Sequence, residues 1–295
     1  MFNKNKSFLR TVARMLALIL VFSMMLVGCE EEAPKRDFPA VNQNPSGNGN
    51  NSNNNSNNSN KNNNSNNNSN NNNTTTKPNT SGKKRVAITY DDGPHNVTTV
   101  NIADELAKYG FNATFFVVGN RIDGTAYNGA KGLKYAASKG NEIAIHGYTH
   151  KQDKAHYYDT AEEETYQSEL GNTKKAILSQ LPNAKIKLMR PVGGRITSER
   201  ISDCDYSVIM WSVDSMDWNL KSEGDKKAEN VEAIVDNVMS QVQNGSIILM
   251  HDIYENTYLA TKEILKQLDA QGYEVVTVSE LLGSPKAGVK YSKAS

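Results

Sequence analysis

Apolar and polar positions alternate from about residue 83 onward in a pattern that predicts an α/β fold. Short apolar runs of strand length are separated by longer amphipathic stretches, and Gly or Pro follows each stretch. The predicted strands are Val86–Tyr90, Ala113–Val118, Glu142–Ile145, Ile186–Met189, Ser207–Val213, Ile247–Met250 and Tyr273–Val278. The predicted helices are Asn96–Tyr109, Thr160–Leu181, Glu229–Gln243 and Glu255–Ala270. Strands that alternate with helices pair in parallel, and about seven of them suit a small or irregular barrel, although the pattern leaves closure open.

The first 28 residues differ from this pattern and are typical of an export signal. Lysine and arginine residues precede the apolar run Met15–Val27, which is short for a membrane-spanning helix. The Gly28-Cys29 pair that follows resembles a bacterial lipobox, which implies cleavage before Cys29 and lipidation of its thiol. An uncleaved N-terminal anchor is the alternative. Either interpretation places the rest of the chain outside the cytoplasmic membrane.

Residues 29–82 are predicted to be a disordered tether, because this segment is dominated by Asn, Ser, Thr and Gly and has little apolar surface to bury. Residues 83–285 are predicted to form one domain with room for a sizeable core, and residues 286–295 are predicted to be a C-terminal tail. The net charge of +1 gives no indication of a nucleic-acid partner. If Cys29 carries lipid, Cys204 has no disulfide partner and is a core residue.

Side chains suited to catalysis follow five of the predicted strands. Parallel strands bring their carboxyl ends to one face of an α/β fold, so we expect these side chains to share one site. They are Asp91 and Asp92 after the first strand, His146 and His150 after the third, Arg190 after the fourth, Asp214, Asp217 and Trp218 after the fifth, and His251 and Asp252 after the sixth.

Two of these groups have the composition of a metal site. Asp91 and Asp92 place two like charges side by side, and a metal ion bound by one carboxylate would offset their repulsion. A solvated turn is the simple alternative. His146 and His150 are four residues apart, and in a helical turn they would lie on one side. With Asp92 they would form a two-histidine, one-carboxylate set that leaves positions open, unless they are unrelated surface histidines. Such an ion favours hydrolysis, with Asp91 as the base and His251 as the acid.

Five segments resemble, in order, the motifs of the polysaccharide deacetylases, the NodB-homology domains of carbohydrate esterase family four. The segments are Thr89–Pro94, His146–His150, Arg190–Gly194, Asp214–Trp218 and Leu249–His251. The resemblance covers nearly the whole domain. It implies a deformed (β/α) barrel and a hydrolase, acting on non-peptide carbon–nitrogen bonds, that removes acetyl groups from a polysaccharide with a divalent metal, zinc or alternatively cobalt.

The same resemblance implies a role for each site residue, and it carries the roles over to matching positions only. By role, these are Asp91 as base, with Arg190 orienting it; Asp92, His146 and His150 as metal ligands; His251 as acid, supported by Asp217; and Trp218 and Leu249 as walls of the acetyl pocket. We also assign Tyr90 and Gly193 to the substrate pocket, because a backbone N–H near either of them, together with the metal, would stabilise the oxyanion.

The chain departs from the family pattern at three positions. Gly147 stands where the family commonly has Ser or Thr, whose hydroxyl braces the second motif. Ile145 stands where Asn is common, and Gly193 replaces an aromatic residue. We therefore expect weaker bracing of the metal-ligand loop and a substrate groove that lacks one wall.

The predicted function is removal of N-acetyl groups from N-acetylglucosamine units of a cell-envelope polysaccharide, with peptidoglycan as the polymer. One alternative is an O-acetyl esterase acting on xylan or a similar polysaccharide. A second alternative is a glycan-binding lipoprotein without catalytic activity. The predicted partners are the acetylated polysaccharide and the bacterial cell membrane, through lipid on Cys29; no nucleic acid is expected, and the chain is predicted to be a monomer.

Overall fold

The computed structural model of this chain describes residues 82–124, 129–220 and 227–295. The predicted export signal, the lipidation of Cys29 and nearly all of the tether lie outside these residues. Within the described ranges, no helix has both the length and the apolar character that crossing a bilayer requires.

Nine strands lie in the described part of the chain, and every pairing between them is parallel. They are β1 (Lys84–Asp91), β2 (Thr114–Val117), β3 (Glu142–Ile145), β4 (Leu188–Met189), β5 (Ser207–Ile209), β6 (Val213–Asp214), β7 (Ile247–His251), β8 (Tyr273–Val275) and β9 (Lys290–Tyr291). Their order is β6-β7-β1-β2-β3-β4-β5-β9, and β8 is attached to β1.

The helices that connect these strands include four that match the predicted ones to within a few residues. These are α1 (Thr98–Lys108), α4 (Glu163–Gln180), α6 (Lys227–Met239) and α7 (Glu255–Ala270). Four further helices were not predicted, since three of them are only five residues long and the other begins at a glycine and contains a second. These are α2 (Gly119–Asp123), α3 (Gly129–Ser138), α5 (Ser198–Ser202) and α8 (Val278–Leu282).

The parallel strands and their helices form a deformed half-barrel, which confirms the predicted fold class. Among the described strands, β6 and β9 are the two ends of the path, and the beginning of β1 pairs with β8, whereas its end pairs with β2. Residues 286–295, predicted to be a tail, contain β9, which pairs with β5. After β9, Lys293 bridges to Ser246 and the amide of Ala294 donates to the carbonyl of Gly245, which ties this segment to the start of β7.

The alternation of side chains along β1 places the catalytic candidate Asp91 inside the barrel. Ala87 belongs to a small cluster of buried residues within the barrel, whereas Ile88 and Tyr90 belong to the main core. Because successive side chains of a strand point to opposite faces, Asp91 lies on the same face as Ala87, at the carboxyl end of the strand.

The predicted strand Ser207–Val213 is in fact two strands, β5 and β6. The carbonyl oxygens of Ile209 and Met210 accept hydrogen bonds from the guanidinium of Arg190, at 3.0 Å each. Those two acceptors are therefore bonded to a side chain rather than to a neighbouring strand. This explains why the regular pairing is interrupted between the two short strands.

Candidate active site

A cavity of about 450 Å³ lies where the carboxyl ends of the strands meet. It gathers most of the side chains that the sequence places after strand ends. Its lining residues are Asp91, Asp92, His146, His150, Gln152, Pro191, Gly193, Gly194, Trp211, Asp214, Trp218, Leu249, His251 and Tyr254.

Asp92, His146 and His150 converge on one point at the edge of this cavity. One potential ligand atom from each lies within 4.8 Å of the others. Nε2 of His150 is 2.8 Å from Oδ1 of Asp92, and Nε2 of His146 is 3.5 Å from the same oxygen. That oxygen is buried and makes no hydrogen bond of acceptable geometry. Two imidazoles and a carboxylate oxygen in this arrangement fit a divalent metal ion such as zinc or cobalt.

The two histidines do not lie on a helical turn, which corrects the geometry expected from their spacing. Residues 146–150 form a loop, in which Gly147 has φ of 87° and His150 has φ of 53°. Nδ1 of His146 is 2.9 Å from the carbonyl oxygen of Arg190, which leaves Nε2 facing Asp92. A backbone contact of this kind fixes the ring orientation that a metal ligand requires.

The charges of the cluster favour an ionised carboxylate beside two imidazoles. Burial would raise the pKa of Asp92, but His146 and His150 outweigh burial and hold this pKa well below its ordinary value. Burial would lower the pKa of His146, but Asp91 and Asp92 raise it. Because a metal ion binds neutral imidazole, the raised pKa of His146 should make cation binding here weaken as the pH falls.

Asp91 is held in place by a fully buried arginine. Nη1 of Arg190 donates to Oδ1 of Asp91 at 2.7 Å and to the hydroxyl of Thr89 at 2.8 Å. The guanidinium also lies 4.2 Å from the ring centroid of Phe116. Burial lowers the pKa of Arg190, and Asp91 opposes this effect. The pair leaves the second oxygen of Asp91, 3.6 Å from Nε2 of His146, on the side of the cluster formed by Asp92, His146 and His150.

His251 is paired with a carboxylate on its other side. Nδ1 of His251 is 2.7 Å from Oδ1 of Asp217, which is fully buried. The second oxygen of Asp217 accepts the backbone N–H of His251 at 2.7 Å and the hydroxyl of Thr257 at 2.6 Å. Burial would lower the pKa of His251, but Asp217 outweighs it and raises the pKa to about 9. His251 is therefore protonated near neutral pH and can donate a proton.

The structure places three of the four residues predicted for the substrate pocket at the cavity and the side chain of the fourth in the core. Leu249, Gly193 and Trp218 line the cavity, and Trp218 is 44% exposed. The side chain of Tyr90 does not reach the cavity: its ring stacks on Phe115 at 5.1 Å, in the main core. Period-two alternation turns it away from Asp91, so only its backbone remains a candidate for contact with substrate.

Two aromatic residues that the sequence analysis did not assign to the site, Tyr157 and Trp211, lie beside Gly193 and Gly194. A Cβ atom on Gly193 would lie 3.3 Å from the ring of Tyr157, and the guanidinium of Arg195 lies 4.1 Å from the centroid of that ring. Trp211 lines the cavity and would lie 3.1 Å from a Cβ atom on Gly194. The aromatic residue expected at position 193 is thus absent, but Tyr157 packs against this position from another loop. In the sequence, Trp211 lies within the predicted strand Ser207–Val213, where an aromatic side chain is typical of the core. The sequence analysis therefore did not assign it to the site.

Comparison with known proteins supports the same family. The polysaccharide deacetylase family model matches residues 78–207. The chain is 36% identical over 199 residues to peptidoglycan-N-acetylmuramic acid deacetylase PdaC of Bacillus subtilis, an alignment that covers 68% of this chain and 39% of PdaC. It is 31% identical over 210 residues to a peptidoglycan-N-acetylglucosamine deacetylase of Bacillus cereus, which covers 68% of this chain and 90% of that protein.

The fold is also similar to that of a solved structure. A family 4 acetyl xylan esterase from Clostridium thermocellum, in complex with a cobalt ion, superimposes with a TM-score of 0.59 and 27% identity over 71% of this chain and 98% of that chain. The chain spans about two-fifths of the length of PdaC but most of the length of the Bacillus cereus protein. By its matched residues, its five motifs and its fold, this chain belongs to the polysaccharide deacetylase family.

Proposed function

We propose that the protein is a zinc-dependent hydrolase that removes N-acetyl groups from N-acetylglucosamine units of peptidoglycan. The observation that carries the proposal is the cluster of Asp92, His146 and His150 with a carboxylate and a protonated imidazole beside it. Asp91 and His251 are register partners on the adjacent strands β1 and β7, so both face the same cavity. A divalent ion held by the cluster would polarise the carbonyl of the acetyl group.

Asp91 is placed to act as the general base. Its Oδ1 is bonded to Arg190, and its other oxygen faces the cavity, where it can accept a proton from the attacking water. The buried guanidinium keeps Asp91 oriented. The new carbon–oxygen bond converts the planar amide carbon into a tetrahedral centre.

His251 is placed to act as the general acid. Its Nδ1 is bonded to Asp217, so Nε2 is the atom that can donate to the amide nitrogen. When the carbon–nitrogen bond breaks, this proton goes to the nitrogen, and the products are acetate and a free amine on the sugar. The raised pKa of His251 keeps the proton available before the bond breaks.

The location of the protein is part of the proposal. We propose that the chain is exported and held at the outer face of the bacterial cell membrane by lipid on Cys29, with residues 29–82 as a tether. The positively charged start, the apolar run Met15–Val27 and the Gly28-Cys29 pair support this proposal. A lipid-held domain on a polar tether would reach the envelope glycan next to its own membrane.

Acetate release by the purified protein tests the proposal. We expect acetate from N-acetylglucosamine oligomers and from peptidoglycan fragments, lost after chelation and restored by zinc. Mass spectrometry of the glycan should show the loss of an acetyl group from individual sugars. Tight glycan binding with no acetate released from any polymer would instead support the non-catalytic alternative.

The O-acetyl esterase alternative has one specific observation in its favour, the similarity to a family 4 acetyl xylan esterase. The same base, acid and metal ligands can hydrolyse an ester, because the attack on the acetyl carbon is common to both reactions. Parallel assays on acetylated xylan and on N-acetylglucosamine oligomers separate the two. Faster turnover of xylan acetate would favour the esterase.

A further inference from the structure

The loop that carries both histidine ligands is bound by a buried carboxylate from another element. Glu169 lies in α4 and is 4% exposed. Its Oε2 accepts the backbone N–H groups of Tyr148, at 2.6 Å, and of Thr149, at 2.9 Å. Its Oε1 accepts the hydroxyl of Thr149 at 2.7 Å. A single side chain therefore satisfies three donors immediately before His150.

The carbonyl groups of the same loop accept hydrogen bonds from a second helix. The amide of Gly119 donates to the carbonyl of Gly147, and the amide of Asn120 donates to the carbonyl of Tyr148, both at 3.0 Å. Both donors lie at the start of α2, so the loop is bound by both α2 and α4. Among the hydrogen bonds of the described residues, Glu169 is the only side chain that accepts a backbone N–H of residues 146–150.

The missing side chain at position 147 is part of this arrangement. Gly147 has φ of 87°, a conformation that other residues rarely adopt. A Cβ atom there would lie 2.8 Å from the hydroxyl oxygen of Tyr158 and 3.1 Å from Oε2 of Glu169. The space in which a serine or threonine would have to fit is therefore occupied by Glu169 and Tyr158.

We propose that Glu169 is a positioning residue for the metal site, acting through the loop that ends at His150. It is not itself among the ligand atoms, since its two oxygens are already engaged by three donors. Its role is to fix the backbone so that His150 faces Asp92, a task the expected hydroxyl at position 147 cannot perform here. This inference rests on the proposed metal site.

Two substitutions at one position separate hydrogen bonding from charge. In Glu169→Gln, the amide oxygen can still accept both backbone N–H groups, and the amide nitrogen can donate to the hydroxyl of Thr149. In Glu169→Leu, a side chain of similar size accepts nothing, so the two N–H groups are left without their partner. Loss of a partner that orients a ligand typically costs about 10–100-fold in metal affinity.

The experiment measures the dissociation constant of zinc for the full-length, metal-free protein by competition with a fluorescent chelator. We expect Glu169→Leu to bind zinc about 10–100-fold more weakly and Glu169→Gln to stay close to the parent protein. Ile177→Ala is the matched control, because Ile177 is a buried core residue of the same helix. It should lower the melting temperature while leaving the zinc affinity of the folded protein unchanged.

A milder variant keeps the test decisive if Glu169→Leu does not fold. Glu169→Asp keeps the charge but withdraws the carboxylate by one methylene, so zinc affinity should fall in this variant too. Unchanged zinc affinity in the folded Leu or Asp variants would overturn the proposal, as would a Gln variant as weak as the Leu variant. Because no substrate is present, these results are independent of acetate release; a parent protein that binds no zinc would overturn both this inference and the proposed function.

Discussion

Replacing Asp217 by asparagine should move the basic limb of the pH–activity profile to lower pH. Asp217 is fully buried and contacts His251 twice, at the ring Nδ1 and at the backbone N–H, both at 2.7 Å. Asparagine has nearly the same size and retains one acceptor oxygen. The substitution therefore removes mainly the negative charge that stabilises the protonated ring.

The magnitude follows from the raised pKa of His251. The difference between the ordinary value of 6.5 and the value of about 9 corresponds to about 3 kcal/mol in favour of the protonated ring. Burial acts in the opposite direction, so removal of the Asp217 charge should return the pKa to about 6.5 or below. Near pH 7.5 the protonated fraction should then fall from nearly all to about one-tenth, and the rate should fall with it.

The raised pKa of His251 also makes the free energy of unfolding depend on pH. Because the pKa of His251 is raised in the folded protein, the stability it contributes is fully present below pH 6.5 and is lost as pH rises through about 9. Asp217→Asn should abolish most of this dependence on pH. Urea denaturation between these pH values measures it in both proteins.

The assay for the leading prediction is acetate release from N-acetylglucosamine oligomers as a function of pH, with an NMR titration of the His251 ring in metal-free protein. Asp214→Asn is the matched control, because Asp214 lies in the same segment and accepts the amide of Met216 at 2.8 Å. The control should leave the basic limb in place. If Asp217→Asn lowers the rate without moving the limb or the titration of His251, the assignment of His251 as the acid is refuted.

Four other substitutions test the remaining parts of the site. Asp92→Asn should abolish zinc binding measured by chelator competition, whereas Asp91→Asn should retain zinc but lose about 10²–10⁴-fold in rate, as expected for a general base. Arg190→Met should lower the free energy of unfolding in urea by about 3–5 kcal/mol, because it leaves the buried charge of Asp91 unpaired; an unchanged midpoint would contradict the pairing. Tyr157→Ala should raise KM for oligomers severalfold with little effect on kcat, because the ring packs against Gly193 at the cavity wall; equal KM values would exclude a role in binding.

The position of the site could be predicted from the sequence because strand ends and side-chain alternation are local properties. An apolar run that ends in Asp91 and Asp92 indicates where the strand stops, and parallel pairing then gathers the other strand ends around it. The same alternation, applied strictly, would have assigned the side chain of Tyr90 to the core.

The conformation of the loop of residues 146–150 could not be predicted, because contacts distant in the sequence determine it. The spacing of His146 and His150 suggested a helical turn, but Glu169 and the start of α2 hold the loop in a different shape. The interruption between β5 and β6 has a similar origin, since Arg190 binds two carbonyl oxygens there. Neither contact leaves a signal in the local pattern of apolar residues.

The central claim is that Asp92, His146 and His150 hold the metal ion on which deacetylation depends. The most direct measurement is acetate release by metal-free protein, with metal content verified by elemental analysis, before and after addition of zinc. The account predicts no release without metal, restoration of release by zinc in the parent protein, and no restoration in Asp92→Asn. Equal release by verified metal-free protein, or full restoration in Asp92→Asn, would contradict it.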